Sequence, residues 1–370
     1  SELTQAKKYV QKALLPKSLN LEDKINYLNT LANIELDLGH LENANTLNTE
    51  SKQLYEENSI FKSDPDLLEP ILITLSQILI EKCEFEQAER ILLENLESLK
   101  SKGLDRFPII AAVYSNLGTT WLERGEFERA KKFFKKSIEV LTNLFDEDHP
   151  KIALEYNNLG LAYYYNHEFF YAKRFFRKGL EINEKIYSDS LTNIYLATNY
   201  NNLGMTYEII GDVEKAYDYY SMSLEIYDKL FGYNHPSAAS TLYNLGNVYY
   251  VKKEYTMALE NLEKALEIDR KFYNENHLEV AKDLAKIGAV FIDIDNLVNS
   301  EEYSLKALNI FQTHSPNSLD TSMVHLNLSI LYIKKLEMQK SKQHIQAALE
   351  IVHENYGKDH NQLRVIFDTY

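Results

Sequence analysis

The sequence predicts an all-α solenoid, a stack of about eight helical hairpins. Three observations carry that prediction. A pattern of helical period recurs every 41 to 44 residues, and its first helices align on Ala32, Ser76, Gly118, Gly160, Gly204, Gly246, Gly288 and Ser329. A second small residue follows each of these twelve positions later, at Ala44, Ala88, Ala130, Ala172, Ala216, Ala258, Ser300 and Ser341. An aliphatic precedes every residue of the first series, and a large residue stands three positions after it in every copy except the first, which has Glu35. Columns held in register over eight copies identify an internal repeat.

The stretch from Ser237 to Phe272 is the clearest copy. Leu242, Leu245, Gly246 and Tyr249 share one face of a first helix, and Tyr255, Ala258, Leu262, Ala265 and Leu266 share one face of a second. Spacings of three and four residues make each set a single stripe. Small residues in both stripes let two backbones approach closely, so each pair packs as an antiparallel hairpin. Gly160 and Gly246 are therefore expected where two helices touch.

The chain opens with residues 1–16, whose Ala6 aligns with Ala130, so this piece reads as a second helix whose partner lies outside the sequence. Full copies are expected at about 20–58, 70–102, 107–145, 150–187, 194–231, 236–273, 278–312 and 317–355, all in one solenoid spanning 1–370. The polar stretch from Glu57 to Pro70 is expected to be a mobile loop. Pro108, Pro150 and Pro236 each lie ten residues before a glycine, at the first turn of a helix, where a missing N–H costs nothing. Two extra residues in the fourth copy fall in its loop, where insertion is tolerated. Residues 357–370 begin a further repeat or form a cap.

Large-x2-Leu-Gly-x2-Tyr followed by alanine resembles the tetratricopeptide repeat. The loops LFDEDHPKIA at Leu144–Ala153 and LFGYNHPSAA at Leu230–Ala239, at a period near 42 residues, resemble the kinesin light chain variety. The resemblance implies a right-handed α-α superhelix whose first helices line a concave groove. It implies protein–protein interaction, with an extended peptide or partner helix as ligand. An alternative is a sensory or regulatory segment of a larger signalling or effector enzyme with its catalytic domain elsewhere. A kinesin-type cargo adaptor would need a coiled coil upstream.

Composition narrows the options. The formal net charge of -15 argues against nucleic acid as a main partner, since phosphate contacts need a basic face. One cysteine, Cys83, excludes internal disulfides and points to a reducing compartment, the cytoplasm. It falls in a hairpin turn and reads as an ordinary, partly buried thiol. The most apolar window, Leu67–Ile80, is short and holds Glu69 and Pro70, so no membrane insertion is expected.

No HExxH, CxxC, P-loop or GxGxxG motif occurs, so no catalytic residue, metal site or cofactor is assigned. His149, His235 and His277 share one repeat position on successive loops, too far apart for one metal ion, and read with His360 as loop or capping residues. The basic runs at 131–136 and 173–178 read as a solvated outer face balanced by glutamates.

A column of asparagines is the most informative polar feature. Asn116, Asn158, Asn202, Asn244 and Asn327 stand two residues before the small residue, and Lys286 interrupts them. Asparagine is a poor helix former, so its recurrence has a reason. Two remain open: fixing the stacking of repeats, or clamping the backbone of an extended peptide. Asn157, Asn201 and Asn247 are expected to project further into the groove. Leu161, Tyr164, Tyr165, Met205, Tyr243 and Tyr250 are expected between the amides, with Glu208 at the edge. Tyrosine and methionine suit a peptide surface. Glu81, Glu123 and Asp293 at the same edge hint at a ligand with positive charge.

Overall fold

The computed structural model describes residues 2–16, 19–38, 40–61, 65–104, 107–187, 193–233 and 235–356. The described residues form seventeen α-helices and no strand. They fall into two compact units, 1–191 and 192–370, each described by itself below.

Unit 1 opens with α1 (Glu2–Ala13), which packs on α2 (Leu21–Asp37). Helix α2 pairs with α3 (Leu41–Glu57), α4 (Pro65–Glu81) with α5 (Phe85–Ser101), α6 (Pro108–Glu123) with α7 (Phe127–Leu144), and α8 (Pro150–Tyr165) with α9 (Phe169–Ile186). First helices touch one another in order, α2 to α4, α4 to α6 and α6 to α8, and form one layer. Each second helix packs on the first helix that follows it in the unit.

Unit 2 repeats the plan. Its hairpins are α10 (Ile194–Ile209) with α11 (Val213–Phe231), α12 (Pro236–Val251) with α13 (Tyr255–Phe272), α14 (Leu278–Asp293) with α15 (Leu297–His314), and α16 (Leu319–Lys334) with α17 (Met338–Tyr356).

The small residues sit at the hairpin contacts. A Cβ on Gly160 would lie 2.5 Å from a ring carbon of Phe176, and one on Gly246 would lie 2.7 Å from Leu262 Cγ. Gly118 faces Phe134 and Gly204 faces Tyr220 in the same way. Each glycine thus leaves the space that a large residue of the second helix fills. Burying such a side chain contributes about 1.5–3 kcal/mol.

A second recurring lock is a serine on the second helix. Ser51 donates to the Ile25 carbonyl at 3.0 Å, Ser137 to Ala111 at 2.9 Å and Ser223 to Ala197 at 2.8 Å, all within their own hairpins. Each such bond contributes about 1 kcal/mol.

Every described hairpin turn closes alike. The N–H eight residues after the small residue donates to the carbonyl of the large column, as in Glu126 to Trp121 (2.8 Å) and Glu254 to Tyr249 (2.9 Å). This is the Schellman closure. The preceding residue is left-handed, at Cys83, Gly125, His167, Gly211, Lys253, Asp295 and Leu336. Cys83 is therefore exposed at a turn tip, not partly buried.

Other expectations meet their tests here. Pro108, Pro150 and Pro236 each open a helix. His149, His235 and His277 are N-caps, whose Nδ1 atoms accept from backbone N–H groups at 3.2, 3.1 and 3.2 Å. Their rings stack on Phe145, Phe231 and Tyr273. His360, residues 357–370 and part of the insertion loop, 188–192, lie outside the described residues.

The helix expected near Pro70 begins at Pro65, with Pro70 inside it. The stripe of Leu67 and Ile71, 3% and 0% exposed, extends α4 backward into the supposed loop. Glu35, which breaks the large column, is buried between Lys7 and His40, both at 2.7 Å. Lys131, expected on a solvated face, is 5% exposed. It lies between Glu128 (2.6 Å) and Glu168 (2.5 Å) and over the Tyr163 ring.

Candidate functional site

The first-helix layer of each unit carries a cleft. In unit 1 the cleft encloses about 310 Å³ and is lined from α4, α6, α7 and α8. Asn116 and Asn158, one repeat apart, both line it, with Gln77, Ser115, Lys151 and Glu155. Asn116 Nδ2 donates to the Ala112 carbonyl at 2.9 Å, within its own helix. The Asn158 amide is half-buried and makes no hydrogen bond among the described residues. Its donor and its acceptor are both unused by the described residues.

The remaining residues predicted for this half are placed differently. Asn157 is 6% exposed, so it lies deeper than Asn158 and does not project further out. The reason is helical phase: one residue turns the side chain by about 100°, from the cleft into the packed layer. Leu161 is half-buried on α8. Tyr164 packs edge-on against Phe169 (5.5 Å), and the exposed Tyr165 stacks on Phe127 (6.3 Å), so both sit at the hairpin tip.

In unit 2 the amides spend their groups on each other. Asn244 Nδ2 donates to Asn201 Oδ1 at 3.1 Å, and the Thr241 hydroxyl, which donates to the Ser237 carbonyl at 2.9 Å, lies 3.3 Å from the same oxygen. Asn201 Nδ2 points to Met205 Sδ at 3.6 Å. Here α10 and α12 are tied together, which is the stacking role. Asn202 is 5% exposed. Asn247 is hydrogen-bonded to the Tyr243 hydroxyl, and its own Oδ1 is buried without a partner.

The unit 2 cleft encloses about 320 Å³ and takes Tyr243 and Tyr250 from α12, Lys282 and Lys286 from α14, and Asp320, Met323 and Asn327 from α16. Lys286 lies 4.2 Å over the Tyr250 ring. Burial lowers its pKa, against the pull of Glu208 and Asp293. Burial raises the Glu208 carboxyl, against the hydrogen bond from Tyr220 at 2.7 Å and the Lys286 charge. Burial, and then the hydrogen-bonded Asp293, hold the Tyr250 phenol above its ordinary value. Tyr250, Lys286, Glu208 and Asp293 therefore act on one another electrostatically.

Sequence reading missed Glu155, Lys282 and Asp320. For Glu155 the available signal was the position five before the small residue, where Val113, Glu155, Asn199, Thr241, Asp283 and Val324 mix polar with apolar; Lys282 and Asp320, six and nine before theirs, stand outside it. Among the described residues no group of three or more His, Cys, Asp or Glu could hold a metal ion. No helix among them is long and apolar enough to cross a membrane.

Comparison with known proteins follows the same lines. A model of the tetratricopeptide repeat matches residues 109–185, 195–271 and 237–313, more than half of the chain. No curated protein sequence matches it significantly. Similar solved structures include a Rap protein complexed with competence and sporulation factor, at 15% identity and a TM-score of 0.61, over 94% of this chain and 95% of that one. Aspartyl phosphate phosphatase F from Bacillus subtilis aligns at 16% identity and a TM-score of 0.54, over 93% and 97%. BtubC (BKLC) from P. vanneervenii aligns at 20% identity and a TM-score of 0.53, over 64% and 94%. Identities this low establish likeness of fold. The repeat columns, the hairpins packed on them and the family match together make this chain a member of the tetratricopeptide repeat family.

Proposed function

We propose that this chain is a protein-interaction scaffold that binds an extended peptide or partner segment along its first-helix layer. The observation that carries the reading is the unit 1 cleft, where Asn158 presents an amide that packing does not use. An amide offers both a donor and an acceptor, which is what an extended backbone presents. The unit 2 cleft adds Tyr243, Tyr250 and Met323, aromatic and soft surfaces suited to side-chain pockets. The Rap protein complexed with competence and sporulation factor gives the reading further support, as a similar fold that holds a partner.

The test is a pool of random-sequence decapeptides offered to wild type and to the double variant Asn116→Ala, Asn158→Ala. Each lost hydrogen bond costs about 0.5–1.5 kcal/mol, so retention should weaken about tenfold. Melting should change little, because Asn158 has no partner to lose and Asn116 loses only its bond to the Ala112 carbonyl of its own helix. Undiminished retention by the double variant would remove both amides from the site. A collapse of stability would show that they serve stacking instead.

A further inference from the structure

The unit 1 cleft has a floor that backbone clamping does not explain. Glu155 is 4% exposed, lines the cleft, and has its Oε2 buried without a hydrogen-bond partner. The hydroxyls of Ser115 and Ser137 lie at the carboxyl. Ser137 already donates its proton to the Ala111 carbonyl at 2.9 Å, which leaves Ser115 as the donor. A buried carboxyl with one oxygen unpartnered costs stability. Packing does not demand an acid there, since Val113 and Val324 occupy the same register in other repeats.

Few charges surround the carboxyl. Among the described residues, Lys151, on the same helix as Glu155, is the one cation that lines the cleft. The facing residues of α4, α6 and α7, which include Gln77, Ser115, Thr119 and Ser137, are uncharged.

We propose that the unit 1 cleft receives a positively charged side chain, lysine or arginine, of a bound peptide, with Glu155 as its counter-charge and Asn158 beside it. The proposal rests on the peptide-binding reading above and adds a chemical class to it. An ammonium or guanidinium brought to Oε2 supplies the missing donor and a compensating charge. It also opposes what burial does to the carboxyl, which is to push Glu155 up to about 7.

The experiment uses the full chain and a positional-scanning array of N-acetylated, C-amidated decapeptides, read with wild type and Glu155→Gln at pH 8. Glutamine keeps the shape and removes the charge. Wild type should prefer lysine or arginine over glutamine at one position by about tenfold. Glu155→Gln should lose that preference and still retain peptides. Peptides bound without a basic preference, or with one unchanged in Glu155→Gln, overturn the proposal and leave the peptide reading standing. Retention of no peptide by wild type overturns both. Wild type alone gives a second measurement, independent of how the variant folds. Lysine and arginine stay charged from pH 6 to 8.5, while Glu155 ionises across that range, so the preference should fall several-fold at pH 6. A preference independent of pH overturns the proposal.

Discussion

Gly160→Ala probes the hairpin contact with one methyl group. An ideal Cβ at Gly160 lies 2.5, 2.6 and 3.1 Å from three ring carbons of Phe176. Carbon atoms pack best at about 3.5–4.0 Å, so the ring must retreat by about 1 Å. It has little room, being 1% exposed. Overpacking of this kind costs about 1–3 kcal/mol. Alanine in a helix interior returns about 1 kcal/mol of propensity. The net expectation is a loss of about 1 kcal/mol. Phe176→Leu supplies the internal check, because Leu92 already lies at that register beneath Ser76, which carries a Cβ. The double variant should be less destabilised than the sum of the singles by at least about 1 kcal/mol. Urea unfolding followed by far-UV circular dichroism, with amide exchange in α8 and α9, measures all three variants. Repeat arrays need not unfold in one step, so the exchange data localise the effect. A Gly160→Ala variant stabilised by about 1 kcal/mol, as propensity alone gives, would refute the reasoning. So would strict additivity.

Other expectations are as specific. In unit 2 the hydrogen-bonded Asp269 and Asp283 are buried, and burial first, then neighbouring carboxylates, pushes them up to about 7 and about 9. The unfolded chain releases these protons near pH 4, so stability falls as pH rises from about 4 to about 9. Asp283→Asn should flatten that slope in melting curves and raise stability at pH 8. On the acid side, burial and then the His344 charge hold His325 down to about 4, with the two Nδ1 atoms 2.8 Å apart. The unfolded chain takes up its proton near pH 6.5 and the fold does not, so stability is lost as pH falls from there to about 4. His325→Leu should remove much of that loss. Leu336 is 80% exposed with a φ of 61°. Leu336→Gly should relieve the left-handed strain and gain about 0.5–1 kcal/mol in the same unfolding assay.

The fold was legible because its causes are local and repeat. Small residues at fixed spacing mark close contacts, and Gly118, Gly160 and Gly204 each sit at one, against Phe134, Phe176 and Tyr220. Prolines and histidines at helix starts act through the nearest backbone N–H, which spacing alone reveals. What failed depends on neighbours far along the chain. Lys131 looks like one lysine among many until Glu168, 37 residues on, closes over it. Lys252 likewise pairs with Glu214, 38 residues back, at 2.9 Å and is half-buried. Asn157 and Asn158 are adjacent, and only the helix's phase decides which one meets the cleft. The asparagine column mixes two uses under one pattern: Asn201 and Asn244 bond to each other, while Asn158 bonds to nothing described. A periodic pattern reports that a position is shared, and the chemistry at each copy is set by what the next helix brings to it.

The central claim is that ligands engage the first-helix layer. Hydrogen–deuterium exchange with and without the tightest decapeptide from the array tests it most directly. The account predicts added protection in 108–123 and 150–165, centred on Asn116, Glu155 and Asn158, with the second helices 127–144 and 169–186 unchanged. Protection confined to those second helices would contradict it.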